Sequence, residues 1–252
     1  AGEGLQHQDG QSQILAGTIP NCRVFDPAFA YEVAAIIREG IRRMHGENRD
    51  EYYYLTLMNE NYAQPPMPEG AEEGILKGIY RFQATEGTPA LRILASGPMV
   101  NEAVRAAAIL AERYGVAAEI WSVTSWMELR REALDVQRRA LLGIGEAGEA
   151  PHVAKALAGG PPVTVAVSDY MKLLADGIAR WIPGRLVTLG TDGFGRSEDR
   201  ASLRNFFEVD SRYIALAALR GLAAEGKIEQ KVAAAAVVDL GIDPAKPNPA
   251  RT

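Results

Sequence analysis

The sequence lacks features that several classes of protein require. It contains one cysteine, Cys22, which excludes an intramolecular disulfide and a zinc cluster built from thiolates of this chain. No segment approaches the run of roughly 18–20 apolar residues that a membrane span needs. The first residues do not form the basic segment followed by an apolar one that is typical of a secretion signal. We therefore expect a cytoplasmic protein.

An excess of positive charge is also absent. The 27 lysine and arginine residues are outnumbered by 32 aspartate and glutamate residues, which gives a formal net charge of −5. The chain therefore has no overall positive field that would attract nucleic acid or an anionic membrane. We predict no nucleic acid partner and no membrane partner.

What is present is enough apolar sequence for a large core, because 47% of the 252 residues are hydrophobic. A chain of this size forms one large domain or two modest ones. It begins at Ala1 with a turn-rich polar stretch that has no cap or strand signal ahead of it, which we interpret as the interior of a longer sequence. Three prolines within residues 59–70 exclude a continuous helix or an interior strand and indicate a linker.

Short β-branched segments alternate with helical patterns along the chain, which is typical of parallel α/β proteins. The apolar runs lack clean alternation, as expected for strands that are covered on both faces. The predicted strands are residues 22–25, 52–57, 91–96, 119–123, 163–167 and 185–189.

The helix after the first strand has the clearest signals. Asp26 is predicted to cap its N-terminus, and Pro27 suits its first turn. Its predicted apolar stripe consists of Ala28, Val33, Ile36, Ile37 and Ile41. The other predicted helices are residues 101–114, 125–141, 170–181, 202–207, 211–224 and 228–240.

Three histidines are the candidates for acid–base chemistry near neutral pH. We expect His45 to be exposed at the end of a helix, where a cation is favourable, and His152 to be solvated in a loop. His7 lies in GEGLQHQDG, where glycines let the backbone turn and polar side chains surround one imidazole. Two interpretations stay open for His7 at this point: presentation to a ligand, or a solvated terminus.

A second polar cluster, GTDGFGRSEDR at residues 190–200, follows a predicted strand. Loops at the carboxyl ends of parallel strands commonly bind ligands. The segment has neither GxGxxG nor GxxxxGK[ST], so it does not indicate a phosphate cradle. We favour a turn, a helix cap or an interface over a binding loop. The candidate contact residues are Thr191, Asp192, Arg196 and Ser197.

Other polar groups carry weaker signals. The adjacent acidic pairs Glu72 with Glu73 and Glu198 with Asp199 point in different directions on a helix, and acids in a first turn offset the helix dipole. We therefore favour a structural role for both pairs over acid–base catalysis. The polar residues 59–62 follow a predicted strand and are modest binding candidates.

Seven segments, in order along the chain, resemble one family: GEGLQHQDG, IPNCRVFDPAFAYEV, YYYLTLMNENY, MPEGAEEGILKGIY, SVTSW, SDYMKL and LGTDGFGRSEDRASLRNFFEVD. The family is the homodimeric, single-polypeptide first component of the bacterial pyruvate dehydrogenase complex. The resemblance covers essentially all 252 residues. It implies an α/β fold in two parts: the remnant of a pyrimidine-binding parallel-sheet domain at residues 1–67, and a transketolase-type C-terminal α/β three-layer domain at residues 68–252.

The resemblance also implies a reaction. The whole protein would decarboxylate pyruvate on thiamine diphosphate with Mg²⁺, and would reductively acetylate the lipoyl group of the dihydrolipoyl acyltransferase component. The family holds its cofactor through a GDG…N motif and an activating glutamate, and neither occurs in this sequence. We therefore expect this segment alone to hold no cofactor. The implied partners are an identical subunit and the acyltransferase component.

One residue has a place near the chemistry by resemblance. In the wider transketolase family a DGPTHQ string supplies a histidine that faces substrate and cofactor, and residues 3–8 resemble that string, with His7 retained. Glu3 replaces the Asp, and Leu5 and Gln6 replace Pro-Thr, as suits a keto acid rather than a sugar. The resemblance thus implies that His7 is catalytic and either orients the pyruvate carboxylate or transfers a proton. The alternatives are a non-catalytic assembly or dimerisation module, or another transketolase-superfamily enzyme.

Overall fold

The structure is a computed structural model that describes residues 9–146 and 148–252. This part of the chain contains a two-stranded parallel sheet and a five-stranded mixed sheet, so the predicted α/β fold is confirmed. The strands are β1 (Cys22–Phe25), β2 (Tyr52–Leu55), β3 (Tyr80–Gln83), β4 (Leu91–Ala95), β5 (Ala118–Ser122), β6 (Val163–Val167) and β7 (Arg185–Leu189). The helices are α1 (Ser12–Gly17), α2 (Ala30–Ile41), α3 (Ala71–Lys77), α4 (Met99–Tyr114), α5 (Trp126–Leu142), α6 (His152–Ala156), α7 (Leu173–Asp176), α8 (Arg200–Phe206), α9 (Ser211–Ala224) and α10 (Gln230–Asp239).

The five-stranded sheet has the order β3-β5-β4-β6-β7. Strands β5, β4, β6 and β7 are parallel, and β3 pairs antiparallel with β5 at one edge. Every residue of the central strands β4 and β6 is buried. Apart from the buried Arg92 and Thr164, both strands are apolar, as expected where helices cover both faces of the sheet.

Alternate residues of β4 point into two separate cores. Ile93 packs with residues of α4, α9 and α10, whereas Leu94 packs with residues of α5, α6 and α7. Helices therefore lie on both faces of the sheet, which makes the three layers of the C-terminal part.

The small sheet of β1 and β2 lies against the larger part through its own core. Ile36 of α2 is fully buried and packs with Ile75 of α3 and with Tyr80 of β3. Asp26 N–H donates to Thr124 O (2.8 Å), and Tyr62 OH donates to Ala28 O. The division of the chain at residues 67 and 68 stays a prediction.

Some predicted element bounds are confirmed and others are not. Strands β1, β6 and β7 and helix α9 have the predicted bounds, whereas β3, α1, α3 and α6 were not predicted. The prediction of one helix over residues 170–181 is wrong, because α7 ends at Asp176 and a separate 3₁₀ helix covers Ala179–Trp181. Gly177 lies between the two, and glycine lowers helix stability by about 1 kcal/mol relative to alanine.

Asp26 does not cap α2, and that prediction is wrong. The free N–H groups of Ala28 and Phe29 donate to Glu32, a residue in the first turn of the helix. The Asp26 side chain instead accepts hydrogen bonds from the hydroxyl groups of Ser96 and Thr56. A glutamate that reaches back to the helix start has displaced the expected aspartate, as in a capping box.

The predicted apolar stripe on α2 is only partly buried. Ile36 is fully buried, but Ile37 is 47% exposed and Ile41 is 58% exposed. The buried face of the helix instead includes Glu32 and Gly40.

In the part of the chain that the structure describes, no helix combines the length and the apolar character needed to cross a bilayer.

Candidate functional site

The carboxyl ends of β4 and β6 form the point at which the strand order of the large sheet reverses. From β4 the chain continues to β5 on one side of β4, and later returns as β6 on the other side. A crevice at such a switch point is the usual ligand position in open α/β sheets. Ser96 and Gly97 follow β4 here, and Ser168 and Asp169 follow β6.

The chain itself fills part of this crevice with the Asp26 carboxylate. Ser96 Oγ donates to Asp26 Oδ2 (2.7 Å), and Thr56 Oγ1 donates to Asp26 Oδ1 (2.7 Å). Gly97 N–H donates to the Asp26 carbonyl (3.0 Å), and a Cβ at Gly97 would lie 2.8 Å from Asp26 Oδ1. Asp26 is 2% exposed, and burial raises the pKa of its carboxyl to about 6. Residues near the N-terminus are thus fixed to the carboxyl end of β4.

Glu32 is a second buried carboxylate beside Asp26. Its Oε1 accepts hydrogen bonds from Tyr80 OH (2.6 Å) and Ser122 Oγ (2.7 Å), while its Oε2 accepts the two N–H groups before α2. Burial raises the pKa of this carboxyl. Tyr80 belongs to β3 and Ser122 to β5, so Glu32 joins α2 to both strands.

A cavity of about 330 Å³ opens next to the crevice. Three parts of the chain form its walls: the residues before α1, the loop after β2, and the loops and helix that follow β6 and β7. Its charged lining residues are Asp9, Glu60, Asp169, Arg200 and Arg204. Residues distant in sequence therefore meet at this position.

Arg204 is the central cation of this region and is 8% exposed. Its guanidinium donates to Glu60 Oε2 (2.6 Å) and Oε1 (3.2 Å), and also to Glu102 Oε1 (3.3 Å). Glu102 Oε2 in turn accepts the N–H of Ser211 (3.0 Å). Arg200 lies nearer the solvent and places its Nε 3.6 Å from Glu60 Oε2. The pairs connect the loop after β2 to helices α4, α8 and α9.

The loop at residues 190–200 contributes only partly to the cavity. Thr191 lines the cavity and donates through its hydroxyl to the Asp169 carbonyl (2.6 Å). Asp192 accepts the N–H of Lys172 (3.1 Å), and Asp199 caps α8 by accepting from Ser202 N–H (3.0 Å). These contacts support the structural interpretation of the loop.

Arg196 and Ser197 line a different cavity. The Arg196 guanidinium lies over the Phe206 ring, 5.2 Å from its centroid. Of the four contact candidates in this loop, the structure brings only Thr191 to the cavity at the switch point.

His7 lies outside the described residues, so its catalytic role stays a prediction. The nearest described residues are Asp9 and Gly10, and both line the cavity. Asp9 Oδ1 accepts the N–H of Ser12 (2.9 Å) at the start of α1, and the Gly10 carbonyl accepts the N–H of Met171 (3.0 Å). The chain is thus held against the C-terminal part three residues after His7.

Gly10→Ala is expected to lower the free energy of unfolding by about 1–3 kcal/mol, the usual range for overpacking. A Cβ at Gly10 would lie 2.8 Å from the Thr191 carbonyl, which is backbone and cannot rotate away. Chemical denaturation measures the change. Gly46→Ala is the matched control, since a Cβ there would meet only the Arg42 side chain at 4.0 Å. Equal effects of the two substitutions would contradict the close packing at Gly10.

The other two histidines have different environments. His45 is exposed within a π-helical turn, Arg42–Gly46, as predicted. The prediction of a solvated His152 is wrong, because the residue begins α6, is half-buried and has an Nε2 without a hydrogen-bond partner among the described residues. Burial lowers the pKa of this imidazole, and Lys77 lowers it further. The buried Val153 and Leu157 beside it were the available sequence signal.

Two family models match the chain. The model described as pyruvate dehydrogenase E1 component middle domain matches residues 1–65, and the model described as transketolase-like TK C-terminal domain matches residues 78–210. The pyruvate dehydrogenase E1 component of Pseudomonas aeruginosa is 51% identical over 251 residues, which cover 98% of this chain and 28% of the relative. The corresponding protein of Escherichia coli K12 is 48% identical with the same two coverages.

The fold is shared with solved transketolases. A structure of transketolase from Pichia stipitis superposes with a TM-score of 0.67 at 20% sequence identity, over 99% of this chain and 30% of that chain. The likeness at this identity shows the fold alone. The chain spans about 28% of the length of the curated relatives that it matches.

Proposed function

Because the chain belongs to the transketolase-like C-terminal domain family, we propose that it works as part of a pyruvate dehydrogenase E1 component. The longer protein would decarboxylate pyruvate on thiamine diphosphate and reductively acetylate the lipoyl group of the dihydrolipoyl acyltransferase component. One observation carries this proposal: relatives named pyruvate dehydrogenase E1 component are 51% and 48% identical to the chain over 98% of its length.

The described residues do not fit a thiamine diphosphate–Mg²⁺ site. Among residues 9–146 and 148–252, no three His, Cys, Asp or Glu side chains are grouped so that they could hold a metal ion. Glu32 and Asp26 already accept hydrogen bonds from protein donors on both carboxyl oxygens. We therefore assign cofactor binding to other parts of the longer protein and derive no step through the cofactor from these residues.

In this proposal the chain holds a catalytic segment in place. His7 is the catalytic residue, and the C-terminal part fixes the backbone that follows it. Three contacts support this assignment: the hydrogen bond of the Gly10 carbonyl with Met171, the buried Asp26 carboxylate at the end of β4, and the pairing of Arg204 with Glu60.

The second candidate function is assembly or dimerisation without turnover. Exposed apolar side chains favour it, because such groups commonly mark protein contacts when they lie together. Ile37 and Ile41 on α2 are 47% and 58% exposed, and Leu141 and Ile144 at the end of α5 are 85% and 66% exposed. A homodimer of the longer protein would cover part of this surface.

An activity assay tests the proposed reaction and our assignment of the cofactor site to other parts of the longer protein. The isolated chain and the full-length protein are each supplied with pyruvate, thiamine diphosphate, Mg²⁺ and an artificial electron acceptor. We expect turnover by the full-length protein only. Turnover by the isolated chain would exclude the assembly-only function and also our assignment of the cofactor site elsewhere. A full-length protein that acts on sugar phosphates but not on pyruvate would instead identify another transketolase-superfamily enzyme.

In the full-length protein, His7→Ala is expected to lower kcat about 10²–10⁴-fold, the usual contribution of a positioned acid–base group. Steady-state kinetics with pyruvate measure the change, and circular dichroism checks that the variant is folded. His45→Ala is the matched control. It removes the same side chain from an exposed residue that does not line the cavity. Unchanged kcat in a folded His7→Ala protein would refute the catalytic role of His7.

A further inference from the structure

The proposed function assigns no ligand to the cavity at the switch point. It lies at the carboxyl end of β6, where open α/β sheets usually bind ligands, and it is enclosed by three parts of the chain. Its volume of about 330 Å³ suits a small organic molecule. Asp9 and Gly10 form one wall, so the cavity exists only when the N-terminal segment lies on the C-terminal part.

The cations that line the cavity already have anionic or polar partners. Arg204 is bound by both oxygens of Glu60 and by Glu102. The Arg200 guanidinium donates to Asn59 Oδ1 and lies 3.6 Å from Glu60. An anionic ligand would therefore have to break existing pairs before it could bind.

The Asp169 carboxylate, in contrast, has no hydrogen-bond donor among the described residues. Only the backbone carbonyl of Asp169 accepts a hydrogen bond there, from Thr191. Burial is the main cause that raises the pKa of this carboxyl to about 6, so the negative charge is poorly compensated by its surroundings. Among the nearby charged groups, Arg204 lowers the pKa of the Asp169 carboxyl. Three acidic residues raise it, namely Asp26, Glu60 and Glu102.

Part of the cavity lining is apolar. Leu203 and Phe207 contribute to it from helix α8 and its end, and Val209 and Met58 add further apolar surface. A ligand with one charged end and a short apolar body would match a lining that combines a carboxylate with apolar side chains. Metal binding is not favoured, because no three suitable ligands are grouped among the described residues.

We propose that this cavity binds a small organic cation, a primary ammonium group on a short apolar body. The ammonium group donates hydrogen bonds to the Asp169 carboxylate, and the apolar body packs against Leu203 and Phe207. The proposal is independent of the proposed function, since it needs only the folded chain and no turnover.

Calorimetric titration of the chain with n-butylammonium at pH 7.5 tests the proposal, with n-butanol and n-butyrate as neutral and anionic probes of the same length. We expect binding of n-butylammonium in the millimolar range and at least tenfold weaker binding of the other two. Because Asp169 has a pKa of about 6, about tenfold weaker binding of the cation is expected at pH 5. These comparisons use the unmodified chain and so do not depend on the folding of a variant.

Asp169→Asn is expected to weaken n-butylammonium binding at least tenfold at pH 7.5. The matched control is Asp176→Asn, which removes the same charge from an exposed residue of α7 that does not line the cavity. Binding that is absent, that is equal for n-butanol, or that survives Asp169→Asn would overturn the proposal. The activity assay of the full-length protein plays no part in this result.

Discussion

Replacement of Arg204 by methionine is expected to lower the free energy of unfolding of the chain by about 3–5 kcal/mol, as for a buried ion pair that loses one partner. The variant keeps the length of the side chain but removes the only cation that contacts both Glu60 and Glu102 among the described residues. The Arg204 and Glu102 side chains are 10% and 7% exposed, so water cannot replace the lost partner well. The effect arises because Glu102 and Glu60 lose their buried cation and, within the described part of the chain, keep only the more exposed Arg105 and Arg200 as ion-pair partners.

Urea denaturation of the variant measures this change, and Arg200→Met provides the matched control. Arg200 belongs to the same helix and lies 3.6 Å from the same carboxylate, but its side chain is 34% exposed. Such a pair contributes about 1 kcal/mol or less. The double variant Arg204→Met, Glu102→Gln is expected to recover part of the loss, because it removes a buried charge whose remaining cation, Arg105, has a side chain that is 55% exposed. Equal losses for Arg204→Met and Arg200→Met would show that burial does not distinguish the two pairs.

The strands of the fold could be predicted from sequence where β-branched residues dominate a short segment. Strand β6, VTVAV, is buried on both faces and has the predicted bounds. Strand β3, YRFQ, was missed because it is short, lies at the sheet edge and carries an exposed arginine. Its four residues do alternate between apolar and polar, so the sequence carried a short strand signal here, although the pairing with β5 contains a register shift.

The cavity residues could be predicted only in part. The rule that polar residues at strand ends approach ligands indicated Thr191, and the same rule applied after the predicted strand 163–167 would have indicated Asp169. The pairing of Arg204 with Glu60 had no such signal, since 144 residues separate them in sequence. Contacts of this range depend on the packing of whole elements, which periodicity does not describe.

Asp26 was misassigned for a related reason. An aspartate followed by proline before an amphipathic segment is the ordinary sequence of a helix cap, and nothing local distinguishes it from a buried acid. The difference comes from Ser96, which is 70 residues away in sequence and donates to the carboxylate. Asp26 therefore lies where the N-terminal segment contacts the large sheet.

The free energy of unfolding of the chain is expected to contain a contribution from Asp26 that falls as pH rises from about 4 to about 6. Burial raises the pKa of this carboxyl from 3.8 to about 6, with hydrogen bonds from Ser96 and Thr56 only partly opposing it and Glu32 adding to it. The folded chain thus keeps a proton that the unfolded chain releases. The contribution is fully present below about pH 4 and is lost above about pH 6, and a difference of about two pH units corresponds to about 3 kcal/mol.

Asp26→Asn tests this dependence, because an amide has nearly the shape of the protonated acid and does not ionise. Relative to the unmodified chain, the variant is expected to gain about 3 kcal/mol of stability between pH 4 and pH 7.5, measured by urea denaturation at both values. Comparing the two proteins at each pH cancels the contributions of carboxylates that do not interact with Asp26, so any change in the contribution of Glu32 remains in the difference. The control Asp176→Asn makes the same substitution at an exposed residue outside the crevice. A pH-independent difference between Asp26→Asn and the unmodified chain would mean that Asp26 is already ionised at no cost in the crevice, and that the Ser96 and Thr56 hydroxyls solvate its charge fully.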